Sequence, residues 1–322
     1  MVKLYYYKPE HRFLEAEQRE VMVSEKTKAI WAIQLDIITL IADICRRHSI
    51  RWFVDGGTLL GAVRHQGFIP WDDDIDICMF REDYERFCEI CCVAMEEPFF
   101  LQTYRTDVDF THGHAQVRRS DTTFILRGEM EDGKPTNCYN QGICVDLFPM
   151  DNIPDNPKVA ERFLRGVEDL RYWACSYSIF QRKFSGKSFF TVIRQLGKRL
   201  GLRYYFTRMI GLLIGRKPLR CVQDRHDAYV QKYNKTKTER ACTISHWPMR
   251  KSRQYYRREW FDNVEMLKFE NLTVPAPSGY EQLLAGLYGD DWRTPRQGSA
   301  LLHGDVLVDV DHSYTDYFDK NG

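Results

Sequence analysis

Four aspartates occupy five consecutive positions, Asp72, Asp73, Asp74 and Asp76, in the stretch "FIPWDDDIDICMF". Apolar residues bound them on both sides. Like charges this close repel, and a carboxylate near a core must find a partner or change its pKa. If the segment is extended, alternate side chains share a face. The pattern then predicts Asp72, Asp74 and Asp76 on one side, Asp73 on the other, and Ile75 and Ile77 in the core. Three carboxylates on one face need cations among them, and hard divalent ions with oxygen ligands, Mg²⁺ or Mn²⁺, suit such a set.

The preceding segment reads as a partner for that platform. "IRWFVD" is a short β-branched and aromatic strand running into Gly56-Gly57, and "TLLGAVRHQG" reads as a helix stopped by Gly67. Glycine lets a backbone approach a ligand closely, and the free N–H groups of a helix start favour phosphate. An anion cradle at Gly56, Gly57 and Thr58 thus precedes the acidic platform by about fifteen residues. Phosphoryl transfer uses such a pairing. Taken singly, a Gly-Gly turn or an acidic loop is most often only that; it is the two in register, each beside an apolar strand, that point to chemistry.

The rest of the chain supplies a frame. Residues 24–48 predict a helix capped by Ser24, with Ile30, Ile33, Ile37, Ile41 and Ile44 at helical spacing. "REDYERFCEICCVAM" is a second helix with Tyr84, Phe87, Cys88, Cys91 and Met95 on one face. "FFLQTY", "HAQVRR", "TTFILR" and "ICVDLFPMD" read as strands, the last ending at Pro149. Beyond residue 155 the segments read mainly as helices, with a hairpin at "VEMLKFENLTVPAP" and a helix ending at Gly289. The expected class is α+β with a mixed sheet and a largely helical C-terminal half. Three regions are expected: a catalytic core with its N-terminal helix at 1–155, a helical basic insertion at 156–255, and a segment returning to the core at 256–322.

Composition narrows the setting. With 43% apolar and 14% aromatic residues, the chain is globular. The ten cysteines are scattered, and no apolar signal segment opens "MVKLYYYKPEHRF", so free thiols in a reducing compartment are expected. Cys88, Cys91 and Cys92 have no second pair of ligands nearby and read as helix-core thiols rather than a zinc site. No run reaches the ~18 apolar residues a bilayer requires. The net charge of +1 hides an asymmetry: residues 182–220 hold eleven lysines and arginines, no acid, and many bulky apolar side chains. That stretch predicts contact with an anionic membrane surface rather than with nucleic acid, and a cytoplasmic protein peripheral to the inner face; a helical lid with solvated arginines is the plainer alternative.

The string "DGGTLLGAVRHQGFIPWDDDID" resembles the LicD family of phosphocholine transferases and fukutin-related proteins. The likeness continues through "VDLFPMD" (145–151) and "FENLTVPAPSGYEQLLAGLYGDDWRTP" (269–295). The resemblance implies a polymerase-β-like nucleotidyltransferase core and a reaction: the phosphate-bearing part of a CDP-linked donor moves to a hydroxyl of a glycan or lipid-linked oligosaccharide, releasing CMP. It implies that Asp74 and Asp76 bind the metal, with Asp72 as a further acidic ligand and Asp146 as the third carboxylate, and that one of these, Asp146 for instance, takes the acceptor proton. Asp146 lies between Val145 and Leu147, where an unpartnered charge costs several kcal/mol. Asp151 reads as a turn or cap residue. Arg64 and Arg118 are candidates for the diphosphate. The family often carries a lysine two positions before the Arg118 site, where this chain has Gln116. His65 and His303 are weaker candidates. Rival readings are a true nucleotidyltransferase that releases pyrophosphate, and a silent scaffold.

Overall fold

The computed structural model describes residues 23–107, 110–127, 130–131, 134–135, 139–184, 219–244, 256–295 and 306–317. The chain opens with helix α1 (Glu25–His48). Ser24 caps it, its Oγ accepting from the Thr27 N–H at 3.1 Å, and Ser49 ends it in the left-handed region. Ile30, Ile37, Ile41 and Ile44 of its isoleucine stripe, with Trp31 and Leu35, are buried, and Ile33 is half-buried. Strand β1 (Phe53–Val54) leads into α2 (Gly56–His65), then β2 (Asp76–Phe80) and α3 (Arg81–Ala94). Strands β3 (Phe99–Gln102), β4 (Ala115–Arg119), β5 (Thr123–Leu126), β6 (Met130–Glu131), β7 (Lys134–Pro135) and β8 (Ile143–Ile153) follow.

The central sheet runs β1-β2-β8-β4-β3, and the chain's middle adds β9 (Arg240–Cys242) on β8 and β10 (Tyr256–Arg257) on β9. Only β2 and β8 pair in parallel; the other contacts in this sheet are antiparallel. The fold is therefore mixed α/β with a mixed sheet. One continuous apolar core gathers α1, α2, α3, the sheet, Phe163 and Leu164 of α4 (Pro157–Phe184), and Val230 of α5 (Leu219–Val230).

Among the described residues of the C-terminal half, helices and the predicted hairpin are joined by short strands. Besides α4, α5 and α6 (Tyr280–Tyr288), the described residues hold β9, β10, the hairpin of β11 (Val264–Phe269) and β12 (Leu272–Pro277), and β13 (Val306–Asp309), which pairs with β5. β9, β10 and β13 are two to four residues long, too short for a period to show. Gly289 ends α6 with φ +90°, as expected of a glycine stop. The basic stretch 182–220 falls almost wholly outside the described residues, and His303 lies outside them.

β8 does not end at Pro149. It continues to Ile153, pairing with β9 through Asp151, Asn152 and Ile153. Asp151 is correspondingly not a turn residue. It is 0% exposed, and Arg81 reaches it with both arms, Nε to Oδ1 at 2.8 Å and Nη2 to Oδ2 at 2.6 Å. Asn234 donates to the same carboxylate, and Asp227 and Glu85 share the guanidinium. Burial opposes the Arg81 charge, but Asp151 and then Asp227 outweigh it and raise the Arg81 pKa. Asp151→Asn leaves a buried guanidinium short of its main counter-charge, so it is expected to lower unfolding free energy by ~3–5 kcal/mol. Urea unfolding would measure this; a loss below about 1 kcal/mol would show that the ion pair behaves as an exposed one.

Candidate active site

The acidic segment is not a strand throughout. Residues 72–75 form an irregular turn, and β2 begins only at Asp76. Strand alternation therefore does not govern Asp73: a carboxylate oxygen from each of Asp72, Asp73 and Asp74 lies within 4.8 Å of the others. Among the described residues this is the one histidine, cysteine and acid group with metal-ligand spacing. Cys91 is buried in the core and desolvation raises its pKa.

The Gly-Gly turn sits directly against these acids. Gly56 has φ +53°, which favours glycine, and a Cβ there would stand 3.1 Å from Asp76 Oδ2. A Cβ on Gly57 would stand 2.6 Å from Asp72 Oδ2. The missing side chains thus let two carboxylates close on the start of α2, whose positive end favours them. Thr58 does not face outward. It is buried, and its Oγ1 accepts from the Asp76 N–H at 2.8 Å, fastening α2 to the first residue of β2.

The parallel pairing of β2 with β8 puts Asp76 opposite Asp146, and the antiparallel pairing of β8 with β4 puts Gln116 on the other side of Asp146. Gln116 Nε2 donates to Asp146 Oδ1 at 2.5 Å, and His114 Nε2 lies 3.5 Å from the same oxygen. Arg118 is buried behind them, donating to Gln116 Oε1, Gln102 Oε1 and the Gly142 carbonyl. It lines the cavity but is fixed as a support for Gln116. Arg64 lines the opposite side, half-buried, and donates to the Trp292 carbonyl at 3.0 Å. His65 stands edge-on to Trp71 with ring centroids 6.3 Å apart, a packing role.

The four clustered aspartates, Asp146, Gly56, Gly57, His114, Gln116, Arg118 and Arg64 open onto one cavity of about 860 Å³, the size of a small-molecule site; Thr58 and His65 do not line it. Its walls add residues that the motif reading passed over: Asp55, His112, His114, Tyr256 and Tyr288. Asp55, the residue before Gly56, had a visible signal in "VDGG"; the others reach the site only through long-range packing. Tyr256 donates to both Asp55 oxygens at 3.2 and 3.3 Å.

Electrostatics follow from the crowding. Burial first, then Asp74, pushes the Asp72 carboxyl up. Burial, Asp74 and Asp146 do the same to Asp76. Burial pushes Asp55 up to about 6, opposed by the Gly56 N–H and Tyr256. The His112 ring is accessible from the cavity, yet the enclosing protein and then His114 pull it down to about 3, so it is neutral near pH 7. Asp72 Oδ1 is buried and accepts no hydrogen bond. Oxygen donors in excess, one of them orphaned and several holding protons too tightly, fit a hard divalent cation.

The sign of the pH effect follows. In the metal-free chain the folded state holds protons on Asp55, Asp72 and Asp76 that the unfolded state loses near pH 4. Stability from these groups is present below about pH 4 and is lost as pH rises, through about 6 for Asp55 and about 9 for Asp72, with Asp76 shifted in the same direction. In EDTA, Asp72→Asn is expected to exceed wild type in unfolding free energy by about 1–2 kcal/mol at pH 8, the gap closing toward pH 5. A gap independent of pH in paired denaturation curves would contradict the charge-crowding account.

Comparison with known proteins gives concordant findings. Residues 49–153 match the family described as LicD/FKTN/FKRP, nucleotidyltransferase domain. The lipopolysaccharide cholinephosphotransferase LicD of Haemophilus influenzae is 26% identical over 275 residues, 84% of this chain and 92% of that protein. An uncharacterized protein of Rickettsia typhi is 42% identical over 76 residues, 24% of each chain. The ribitol 5-phosphate transferase FKRP of Homo sapiens is 49% identical over 35 residues, which is 11% of this chain and 7% of that protein.

Proposed function

We propose, from the premise that the chain belongs to the LicD family through residues 49–153, that it moves a phosphate-bearing head group from a CDP-linked donor to a glycan hydroxyl and releases CMP. The observation that carries this reading is the convergence of Asp72, Asp74, Asp76 and Asp146, from a turn and two parallel strands, on the floor of one cavity. The names of two relatives, a cholinephosphotransferase and a ribitol 5-phosphate transferase, support a phosphate-linked group as the cargo. In this reading the core is of the polymerase-β-like nucleotidyltransferase type.

Asp72, Asp74, Asp76 and Asp146 are the residues to hold Mg²⁺ or Mn²⁺, and such an ion supplies electrostatic stabilisation of the transferring phosphoryl group and the departing CMP. The chain's own groups do the rest. The acceptor oxygen bonds to the distal phosphorus, the bond from phosphorus to the CMP oxygen breaks, and the acceptor proton passes to a carboxylate. Asp146 is the carboxylate proposed to take that proton, and the Gln116 amide bonded to one of its oxygens supports this reading. Arg64 faces the cavity as a cation for the donor phosphates. Trp71, Tyr139 and Tyr288 wall the chamber and limit water, the competing nucleophile. The basic stretch 182–220 is proposed to meet the anionic membrane that carries a lipid-linked acceptor.

The test is a screen of CDP-linked donors, choline and ribitol forms included, with a sugar acceptor and Mg²⁺ or Mn²⁺. Metal-dependent CMP release is the expected result. Pyrophosphate release from a nucleoside triphosphate would instead establish nucleotidyl transfer. Folded Asp74→Asn and Asp76→Asn chains are expected to lose CMP release by orders of magnitude. Gly57→Ala should lose most of it as well, because the new methyl displaces Asp72. Near-normal turnover in any of the three, with native circular dichroism, would contradict the assignment.

A further inference from the structure

Helix α1 precedes the matched family region, yet it touches the acidic turn directly. Trp31 Nε1 donates to the Asp72 carbonyl at 2.8 Å, and Gln34 Nε2 donates to the Asp73 carbonyl at 2.8 Å and the Cys144 carbonyl at 3.3 Å. Trp31 and Gln34 are three residues apart, so they share a helix face. They are 0% and 2% exposed. We infer that Trp31 and Gln34 are positioning residues, which set the Asp72–Asp74 carboxylates by holding the backbone of their turn and tying it to β8.

The need for such a device follows from the local structure. Residues 72–75 lie outside any strand, and the bonding between β2 and β8 reaches back only as far as the Ile75 carbonyl. A buried carbonyl without a donor is costly, and a turn bearing three mutually repelling carboxylates tends to spread. The Asp72 N–H is held by the Ile69 carbonyl, and the Ile75 carbonyl by the Asp146 N–H. Between these two anchors, the α1 side chains take up the Asp72 and Asp73 carbonyls. The Gln34 amide also bridges two chains that carry proposed ligands: the acidic turn, and β8 two residues before Asp146. Gln34 Oε1 accepts no hydrogen bond, so the side chain's work lies in its two donations. Trp31 is itself held flat against Phe68, centroids 4.5 Å apart and planes 3° apart, which aims its N–H.

This inference rests on the proposed role of the aspartates, and its test separates the two. The intact chain is compared with Trp31→Phe, which keeps a ring against Phe68 but loses the donor, and with Gln34→Met, which keeps length but loses both donations. Ile38→Val, on the same helix and 1% exposed, serves as a packing control. Hydrogen exchange of the amides of residues 71–76 is followed without metal, and Mn²⁺ binding is titrated by electron paramagnetic resonance of the free ion. The expected result is faster exchange at 71–76 and about tenfold weaker Mn²⁺ binding in Trp31→Phe and Gln34→Met, the scale of outer-shell support at metal sites. Ile38→Val should change neither, even where it lowers the melting temperature equally. Exchange at 71–76 that matches wild type in both variants, or that rises as much in Ile38→Val, would overturn the inference. Should the wild-type chain bind no Mn²⁺, the proposed metal role of the aspartates fails, and the exchange data still decide the positioning role.

Discussion

The structure is organised around a concentration of negative charge at one end of a parallel strand pair. β2 and β8 lie in parallel with Asp76 opposite Asp146, and the turn before β2 adds Asp72, Asp73 and Asp74. Such crowding opposes folding, since each buried carboxylate raises the pKa of its neighbours. The surrounding features accommodate it. Two glycines leave room for carboxylates at a helix start, Thr58 fastens that helix to β2, and Gln116, supported by Arg118, donates to Asp146.

The other end of the same strand pair makes the contrast plain. Past Phe80 and Met150, which are partners in register, come Arg81 and Asp151. There the buried acid is matched within the chain by a two-armed guanidinium, by Asn234, and by a network reaching Asp227 on α5. Two aspartates five residues apart on β8 therefore have different physical roles. Asp151 is internally neutralised and joins the sheet to α3 and α5, whereas Asp146 stands among other acids in a cavity.

Much of this was legible in sequence where the signal is local. The Ser24 cap, the isoleucine stripe of α1, the β11–β12 hairpin and the Gly289 stop each depend on residues within a few positions of one another, and each is present. Asp72, Asp74, Asp76 and Asp146 were marked as one set from their local patterns and family likeness, and the fold brings them to one cavity. Failures came where a distant partner decides. Asp151 looks like a turn residue because Arg81 lies 70 positions away. Strand alternation failed for Asp73 because β2 begins only at Asp76, and the local pattern does not mark where the strand starts. Asp55 carried a local signal in its place before Gly56, but its hydroxyl partner is Tyr256, 201 positions on.

The role proposed for the aspartate cluster is to hold divalent metal beside a phosphate donor. Diffraction from crystals grown with Mn²⁺ and a CDP-linked donor, recorded at a wavelength where manganese scatters anomalously, tests it most directly. The account predicts anomalous density bounded by Asp74, Asp76 and Asp146, with the donor diphosphate against it and the start of α2 alongside. Manganese density absent from the cavity, with the donor bound away from those three side chains, would contradict it.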